Sequence, residues 1–106
     1  MAQFDVHENA GRLRDELPYV LNVQSSQFDA YARRIVVPLA PIAGAGPAHF
    51  SALNPVFRFR GKSFALHPLT MVSIPVNQLG AKVASLAADS ERIVAALEEV
   101  FSRAWG

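Results

Sequence analysis

The chain has 106 residues, of which 51% are hydrophobic and 18% charged, and its formal net charge is +1. This balance predicts a single globular domain over residues 1–106 and excludes a disordered chain. The near-neutral charge argues against a protein that binds nucleic acid by bulk electrostatics, and the absence of cysteine excludes disulfides and thiolate metal sites. The longest apolar run, residues 35–43, is too short for a membrane span and carries two prolines, so we expect a cytoplasmic protein.

The first half of the chain predicts three β-strands. Phe4 and Val6 alternate with polar residues, and residues 19–24 are rich in strand-forming side chains. Residues 33–37 predict a third, largely buried strand, with Pro38 at its edge or at a bulge because proline cannot donate to a strand ladder. The glycines and prolines of residues 41–47 predict a surface loop.

The second half predicts a hairpin, one more strand and a helix. In residues 55–66, Phe57 and Phe59 alternate with two arginines before a glycine turn, so the aromatic rings should face the core. A further strand is expected over residues 70–76, and Gly80 should close the turn after it.

From Asp89 to Trp105 there is no glycine or proline, and Asp89 can cap a helix that begins there. Its apolar positions form one stripe: Ile93, Leu97, Val100, Phe101 and Ala104. Five or six strands followed by this helix predict a mainly β, α+β protein: a small antiparallel barrel-like sheet with one C-terminal α-helix.

Catalytic motifs are scarce in this sequence. The three histidines, His7, His49 and His67, lack metal-ligand spacing, and no glycine pattern for a phosphate or a dinucleotide occurs. We therefore predict no catalytic residue, no metal and no cofactor. A metal-free ribonuclease would need an arginine, a histidine and an acid, for which the candidates by residue type are Arg58, Arg60, His67 and Asp29.

The single tryptophan, Trp105, leaves two interpretations open. It lies four residues after Phe101 and eight after Leu97, a spacing that extends the helical stripe and favours core or dimer packing. Tryptophan is also strongly enriched at binding hot spots, which would make this residue a contact for a partner.

Several blocks of the sequence resemble the CcdB family of toxin–antitoxin toxins. The most specific block is residues 33–40, Arg-Arg-Ile-Val-Val-Pro-Leu-Ala. The other matches are Gln3-Phe4, Val23-Gln24-Ser25 with Asp29, Leu53-Asn54-Pro55-Val56, Met71-Val72-Ser73-Ile74-Pro75-Val76, Leu79-Gly80 and Val83-Ala84-Ser85-Leu86.

The resemblance implies an SH3-like, CcdB/MazF-type barrel that forms a homodimer in the cytoplasm. It implies a plasmid-maintenance toxin without enzymatic activity that binds the DNA gyrase A subunit and poisons the gyrase–DNA complex. It further implies neutralisation by a CcdA-like antitoxin. We expect no direct sequence-specific contact with nucleic acid and no contact with a membrane.

The resemblance also implies a set of gyrase-binding residues. Trp105 and Gly106 match the Trp-Gly of the family's C-terminal end, while an alignment of the helix without gaps places that end at Ser102. Two apolar family contacts map to Gln27 and Phe28, and a helical asparagine maps to Glu98. Two alternatives stay open: a MazF-like endoribonuclease of the same fold, and a non-toxic homologue that binds only an antitoxin.

Overall fold

The computed structural model describes residues 2–12, 14–42 and 52–101. Seven strands and one helix follow one another in these ranges: β1 (Asp5–Asn9), β2 (Tyr19–Asn22), β3 (Arg33–Pro41), β4 (Val56–Phe59), β5 (Lys62–Leu66), β6 (Val72–Pro75), β7 (Leu79–Ser85) and α1 (Ser90–Phe101). Short 3-10 turns precede β3, β6, β7 and α1. The result is the expected small, barrel-like α+β fold: a curled antiparallel sheet with a C-terminal helix.

Strand β3 organises the sheet because it pairs with three other strands. The order is β4-β5-β3-β2-β1-β7, and β6 pairs with β3 outside this path. Along one edge of β3, residues 33–36 pair with β6 and residues 39–41 pair with β5. The other edge pairs with β2 over residues 36–39. All of these pairs are antiparallel.

The placement of Pro38 at an edge or a bulge was wrong. Pro38 is buried in the middle of β3, opposite Val20 of β2. On the edge of β3 that faces away from β2, Pro38 lies where the partner changes from β6 to β5, and its carbonyl accepts from the His67 backbone amide at 3.1 Å. Because the N–H and C=O of a strand residue point to the same side, the donor that proline lacks faces this gap in the ladder. The proline therefore costs no strand–strand hydrogen bond.

The β4–β5 hairpin was predicted correctly. Phe57 and Phe59 are buried, whereas Arg58 and Arg60 are exposed. The two turn residues, Arg60 and Gly61, have φ values of 53° and 74°, the left-handed pair that a two-residue hairpin turn requires.

The core lies between one face of the sheet and α1. Ile93 and Ala96 of the helix are fully buried against strand residues that include Val6, Leu21, Val37, Leu39, Phe57 and Leu66. Arg92 also joins the helix to the hairpin: its guanidinium lies 4.5 Å from the centre of the Phe57 ring and donates to the Val56 carbonyl at 2.8 Å.

The helix begins at Ser90, directly after Asp89, as predicted. A 3-10 turn (Ala87–Asp89) precedes it, and the Asp89 carboxylate pairs with Arg92 at 3.5 Å. The apolar stripe leaves the core before its end, since Leu97 is half-buried but Phe101 is 69% exposed. The predicted continuation to Trp105 and most of the loop at residues 41–47 lie outside the described residues, although Pro41 itself ends β3.

Gly80 was predicted to close a turn, but it lies inside β7, which the sequence analysis missed. A Cβ atom on Gly80 would approach the Glu8 carbonyl oxygen to 2.8 Å and the Glu8 Cβ to 2.9 Å. Beside it, Nδ1 of the buried His7 lies 3.0 Å from the Gly80 carbonyl. Glycine is needed here because β1 and β7 approach too closely for a side chain.

We expect Gly80→Ala to lower the free energy of unfolding by about 1–3 kcal/mol, because the added methyl group must push two paired strands apart. Urea denaturation measures this loss. The matched control is Ala81→Ser at the exposed neighbouring position, where a change within about 0.5 kcal/mol is expected. Equal stability of the two variants would contradict the close approach of β1 and β7.

Candidate functional site

The turn between β2 and β3 presents two aromatic side chains to solvent. Gln27 and Phe28 belong to a 3-10 turn (Ser26–Phe28) that begins after Ser25, whose hydroxyl accepts from the Gln27 amide at 3.4 Å. Phe28 is 44% exposed and Tyr31 is 66% exposed, with their ring centres 6.2 Å apart. A pair of exposed rings in contact is a typical feature of a protein-binding surface.

Gln24 attaches this turn to the start of β3. Its side-chain amide donates to the carbonyls of Phe28 and Arg33, both at 3.2 Å. Its side-chain oxygen accepts from the Ile35 amide at 3.0 Å. These hydrogen bonds fix the backbone that carries Phe28, so little conformational entropy would be lost when a partner binds.

Arg34 holds the same turn from beneath. It is only 5% exposed, and its guanidinium donates to the backbone carbonyls of Tyr31, Arg33 and Asp29. The Asp29 carboxylate lies 3.8 Å from the same group. Burial of a guanidinium is tolerated only when such acceptors surround it.

The sequence analysis missed Arg34, Gln24 and Tyr31 as parts of this site. The burial of Arg34 could have been predicted from its position in β3. Residues two apart on a strand share a face, so Arg34 lies on the same face as Val36 and Pro38, which are buried. Arg33, by contrast, is exposed and donates to the Ser73 hydroxyl and carbonyl at 2.9 and 2.7 Å.

Of the remaining predicted gyrase-binding residues, only Glu98 lies in the described part of the chain. Glu98 is exposed on α1 and lines a shallow groove with Val94. In the described ranges, no hydrogen bond, ion pair or ring contact joins Glu98 to Gln27 or Phe28. Ser102, Trp105 and Gly106 lie outside the described residues.

The candidate ribonuclease residues do not meet within the chain. Asp29 lies beside Arg34 at the start of β3, whereas Arg58 and Arg60 lie on the hairpin beyond the end of β3. The strand segment from Arg34 to Pro41, which lies between these two places, is alone about 23 Å long. His67 lies in the turn that follows β5, and its carbonyl accepts from the Thr70 amide and hydroxyl at 3.1 and 2.9 Å.

A groove of about 640 Å³ lies on the sheet face away from the core. It is mostly apolar, with Val36, Pro38 and Ile74 along it and Arg12 and His67 among its polar residues.

Across residues 2–12, 14–42 and 52–101, no cluster of three or more His, Cys, Asp or Glu could hold a metal ion. Within the same ranges, no helix has the length and apolar character to span a membrane.

The fold of this chain also occurs in a known toxin. A solved endoribonuclease from a Mycobacterial species, in complex with its cognate antitoxin, has the same fold, with a TM-score of 0.73 over 100% of this chain and 99% of that chain. The sequences are 13% identical, so the likeness shows the fold alone. No curated protein sequence matches the chain.

The family comparison is more informative. The model of the CcdB protein family matches residues 3–102. This range includes β1 to β7, the turn between β2 and β3 that carries Phe28 and Tyr31, and all of α1. The chain therefore belongs to the CcdB family of toxin–antitoxin toxins.

Proposed function

We propose that this protein is a toxin that binds the DNA gyrase A subunit and poisons the gyrase–DNA complex. The observation that carries the proposal is the family match over residues 3–102. The exposed ring of Phe28, on a turn held by Gln24 and Arg34, supports it because a prearranged aromatic side chain suits protein recognition. The action we propose is binding, without a chemical step.

In this proposal two copies of the chain form a homodimer. A twofold-symmetric dimer would present two equivalent sets of the residues Gln27, Phe28, Glu98, Ser102, Trp105 and Gly106. Such an arrangement matches a twofold-symmetric target, because each half of the dimer can make the same contacts. The apolar and aromatic members would supply most of the affinity, and Glu98 would select for a partner with a donor or a cation opposite it.

We further propose that a CcdA-like antitoxin neutralises the protein in the cytoplasm and that residues 1–106 act as one domain. Membership of a toxin–antitoxin family supports an antitoxin as partner. The fold's occurrence in a toxin solved with its cognate antitoxin agrees with this assignment.

An endoribonuclease is the second candidate, because the solved structure with the same fold is one. Asp29 lies far from Arg58 and Arg60, which argues against a ribonuclease site built from these residues within one subunit. Incubation of the purified protein with RNA tests this candidate, which requires cleavage that an Arg58 or Arg60 substitution abolishes. A third candidate, a non-toxic homologue that binds only an antitoxin, requires normal growth of cells that overexpress the chain.

Phe28→Ala tests the proposed surface in a gyrase supercoiling assay. We expect the wild-type protein to inhibit supercoiling and the variant to need about tenfold more protein, because an aromatic ring that contributes about 1.4 kcal/mol of binding free energy is removed. The unfolding free energy should change by less than about 0.5 kcal/mol, since the ring is 44% exposed.

The matched control for Phe28→Ala is Leu69→Ala. Leu69 is 71% exposed on a different 3-10 turn (Pro68–Thr70), so its truncation should leave inhibition unchanged. No inhibition by the wild-type protein would reject gyrase poisoning. Inhibition that falls equally in both variants would reject the Phe28 surface while leaving gyrase as the target.

A further inference from the structure

A second pocket, of about 330 Å³, lies at the hairpin end of the sheet, outside the surface discussed above. It forms where the β4–β5 turn approaches the start of β2 and the end of β3. Its lining residues are Pro18, Tyr19, Pro41, Arg60, Lys62 and Phe64. The volume is at the lower end of the range for small-molecule sites, roughly 300–1000 Å³.

Two exposed cations, Arg60 and Lys62, line this pocket, and in the described part of the chain neither makes an ion pair. Arg58, the third cation of the hairpin, does not line the pocket. Its guanidinium instead contacts the Gly61 carbonyl at 3.1 Å and the Ser63 hydroxyl at 3.5 Å. Arg60 and Lys62 are therefore available to an anion, whereas Arg58 is engaged by its own turn.

The backbone of Arg60 gives an independent reason to examine this residue. Its φ is 53°, a conformation that glycine and asparagine adopt readily and that other side chains adopt only with strain. Glycine would stabilise the turn better than arginine does. Arginine at this position has a structural cost, as is common where a side chain serves a function.

The walls of the pocket are flat and apolar. Tyr19 packs edge-on against Phe59 and Phe64, with ring centres 5.3 and 5.2 Å apart, and these two phenylalanines stack at 4.3 Å. This cluster fixes Tyr19, which is half-buried and so keeps part of its surface open. The two prolines of the lining have no N–H, so its side-chain donors are Arg60, Lys62 and the Tyr19 hydroxyl.

We propose that this pocket binds the phosphate group of a nucleotide, a function separate from the proposed gyrase contact. Arg60 and Lys62 would hold the phosphate, since a guanidinium can donate two parallel hydrogen bonds to its oxygens and an ammonium adds a compact charge. Tyr19 and the prolines would pack against the sugar or the base. A phosphate is favoured over a carboxylate because two cations beside an apolar wall match a group with up to two charges and a flat substituent.

The phosphate can come from a free nucleotide or from a single-stranded RNA, and the test separates these sources. Isothermal titration calorimetry with adenosine 5′-monophosphate probes the free nucleotide. Fluorescence anisotropy with a labelled oligouridylate of seven nucleotides probes the strand. Binding of the monophosphate assigns the pocket to nucleotides, and binding of the oligonucleotide alone assigns it to a strand. Either result supports a phosphate site.

Arg60→Gly and Lys62→Gln are the test variants. Each should weaken binding about tenfold, the effect of one charge-assisted hydrogen bond of about 1.4 kcal/mol. For the oligonucleotide, each should also reduce the salt dependence of log K by roughly 0.7, the slope that one neutralised phosphate contributes on a single strand. Arg60→Gly removes the left-handed strain, so weaker binding in this variant does not arise from a misfolded hairpin.

Arg58→Gln is the matched control, because it removes a cation from the same hairpin but outside the pocket. It should leave both affinities within about twofold of the wild-type values. An equal decrease in Arg58→Gln and Arg60→Gly would show attraction to general surface charge and overturn the proposal. Two other results would also overturn it: binding of neither probe at millimolar concentration, and binding of a hexaglutamate peptide as tightly as the phosphate probes.

Discussion

The Trp105→Ala variant is expected to require at least about thirtyfold more protein than the wild type to inhibit gyrase supercoiling. A tryptophan at the centre of a protein interface commonly contributes about 2 kcal/mol or more, which corresponds to that factor. The described helix supports a binding role over a core role for the stripe that Trp105 would extend. Ile93 is fully buried, Leu97 is half-buried and Phe101 is 69% exposed, so the stripe is leaving the core by residue 101.

Two companion measurements make the Trp105 result interpretable. The unfolding free energy of Trp105→Ala should stay within about 0.5 kcal/mol of the wild-type value if the indole serves a partner. Trp105→Phe should recover part of the inhibition, because it keeps an aromatic ring of smaller area. A large decrease in stability with unchanged inhibition would instead assign Trp105 to the core or the dimer, the first interpretation of its helical spacing.

Arg34→Met is expected to lower the free energy of unfolding by about 2–4 kcal/mol. The substitution keeps most of the apolar stem but removes the guanidinium, and with it a donor to the carbonyls of Tyr31 and Asp29 and a cation beside the Asp29 carboxylate. Urea denaturation monitored by circular dichroism measures the decrease. Arg33→Met is the matched control: its side chain is exposed, so a decrease below about 1 kcal/mol is expected.

The same pair of variants tests whether the turn must be held in place for function. Because Arg34 fixes the backbone on which Phe28 and Tyr31 lie, Arg34→Met should also weaken gyrase inhibition at temperatures where the protein is still folded. Arg33→Met should not. Full inhibition by a folded but destabilised Arg34→Met variant would show that the order of this turn does not contribute to binding.

Local sequence patterns were enough to predict most of the secondary structure. The hairpin was predicted correctly because the alternation of Phe57 and Phe59 with arginines and the turn glycine are local signals. The helix was predicted for the same reason, from seventeen residues without glycine or proline. The strand β7 was missed because Gly80 is a turn signal in sequence and a close-packing position in space.

The candidate site was predictable only in part. Phe28, Gln27 and Trp105 were named as contacts through the family resemblance and stay predictions, and Phe28 is exposed in the structure. Arg34 was not found, because an arginine beside another arginine resembles a solvated pair when only neighbouring residues are considered. What sets the two apart is that the Arg34 guanidinium donates to the backbone carbonyls of Asp29, Tyr31 and Arg33.

The sequence by itself determined the family, the α+β class, the hairpin and the presence of the helix, because each depends on periodicity or on motifs within a short window. The tertiary structure alone decided that Pro38 lies inside the sheet, that Gly80 belongs to a strand, that Phe101 leaves the core and that Arg34 is buried. The first three depend on which distant segment lies beside the residue, whereas the burial of Arg34 depends on how the preceding turn folds around its guanidinium. A proline is tolerated where β3 changes its partner, and a buried charge is tolerated where a turn supplies acceptors. The first condition comes from contacts between strands that are separate in the chain, and the second from a turn that folds around the arginine that follows it.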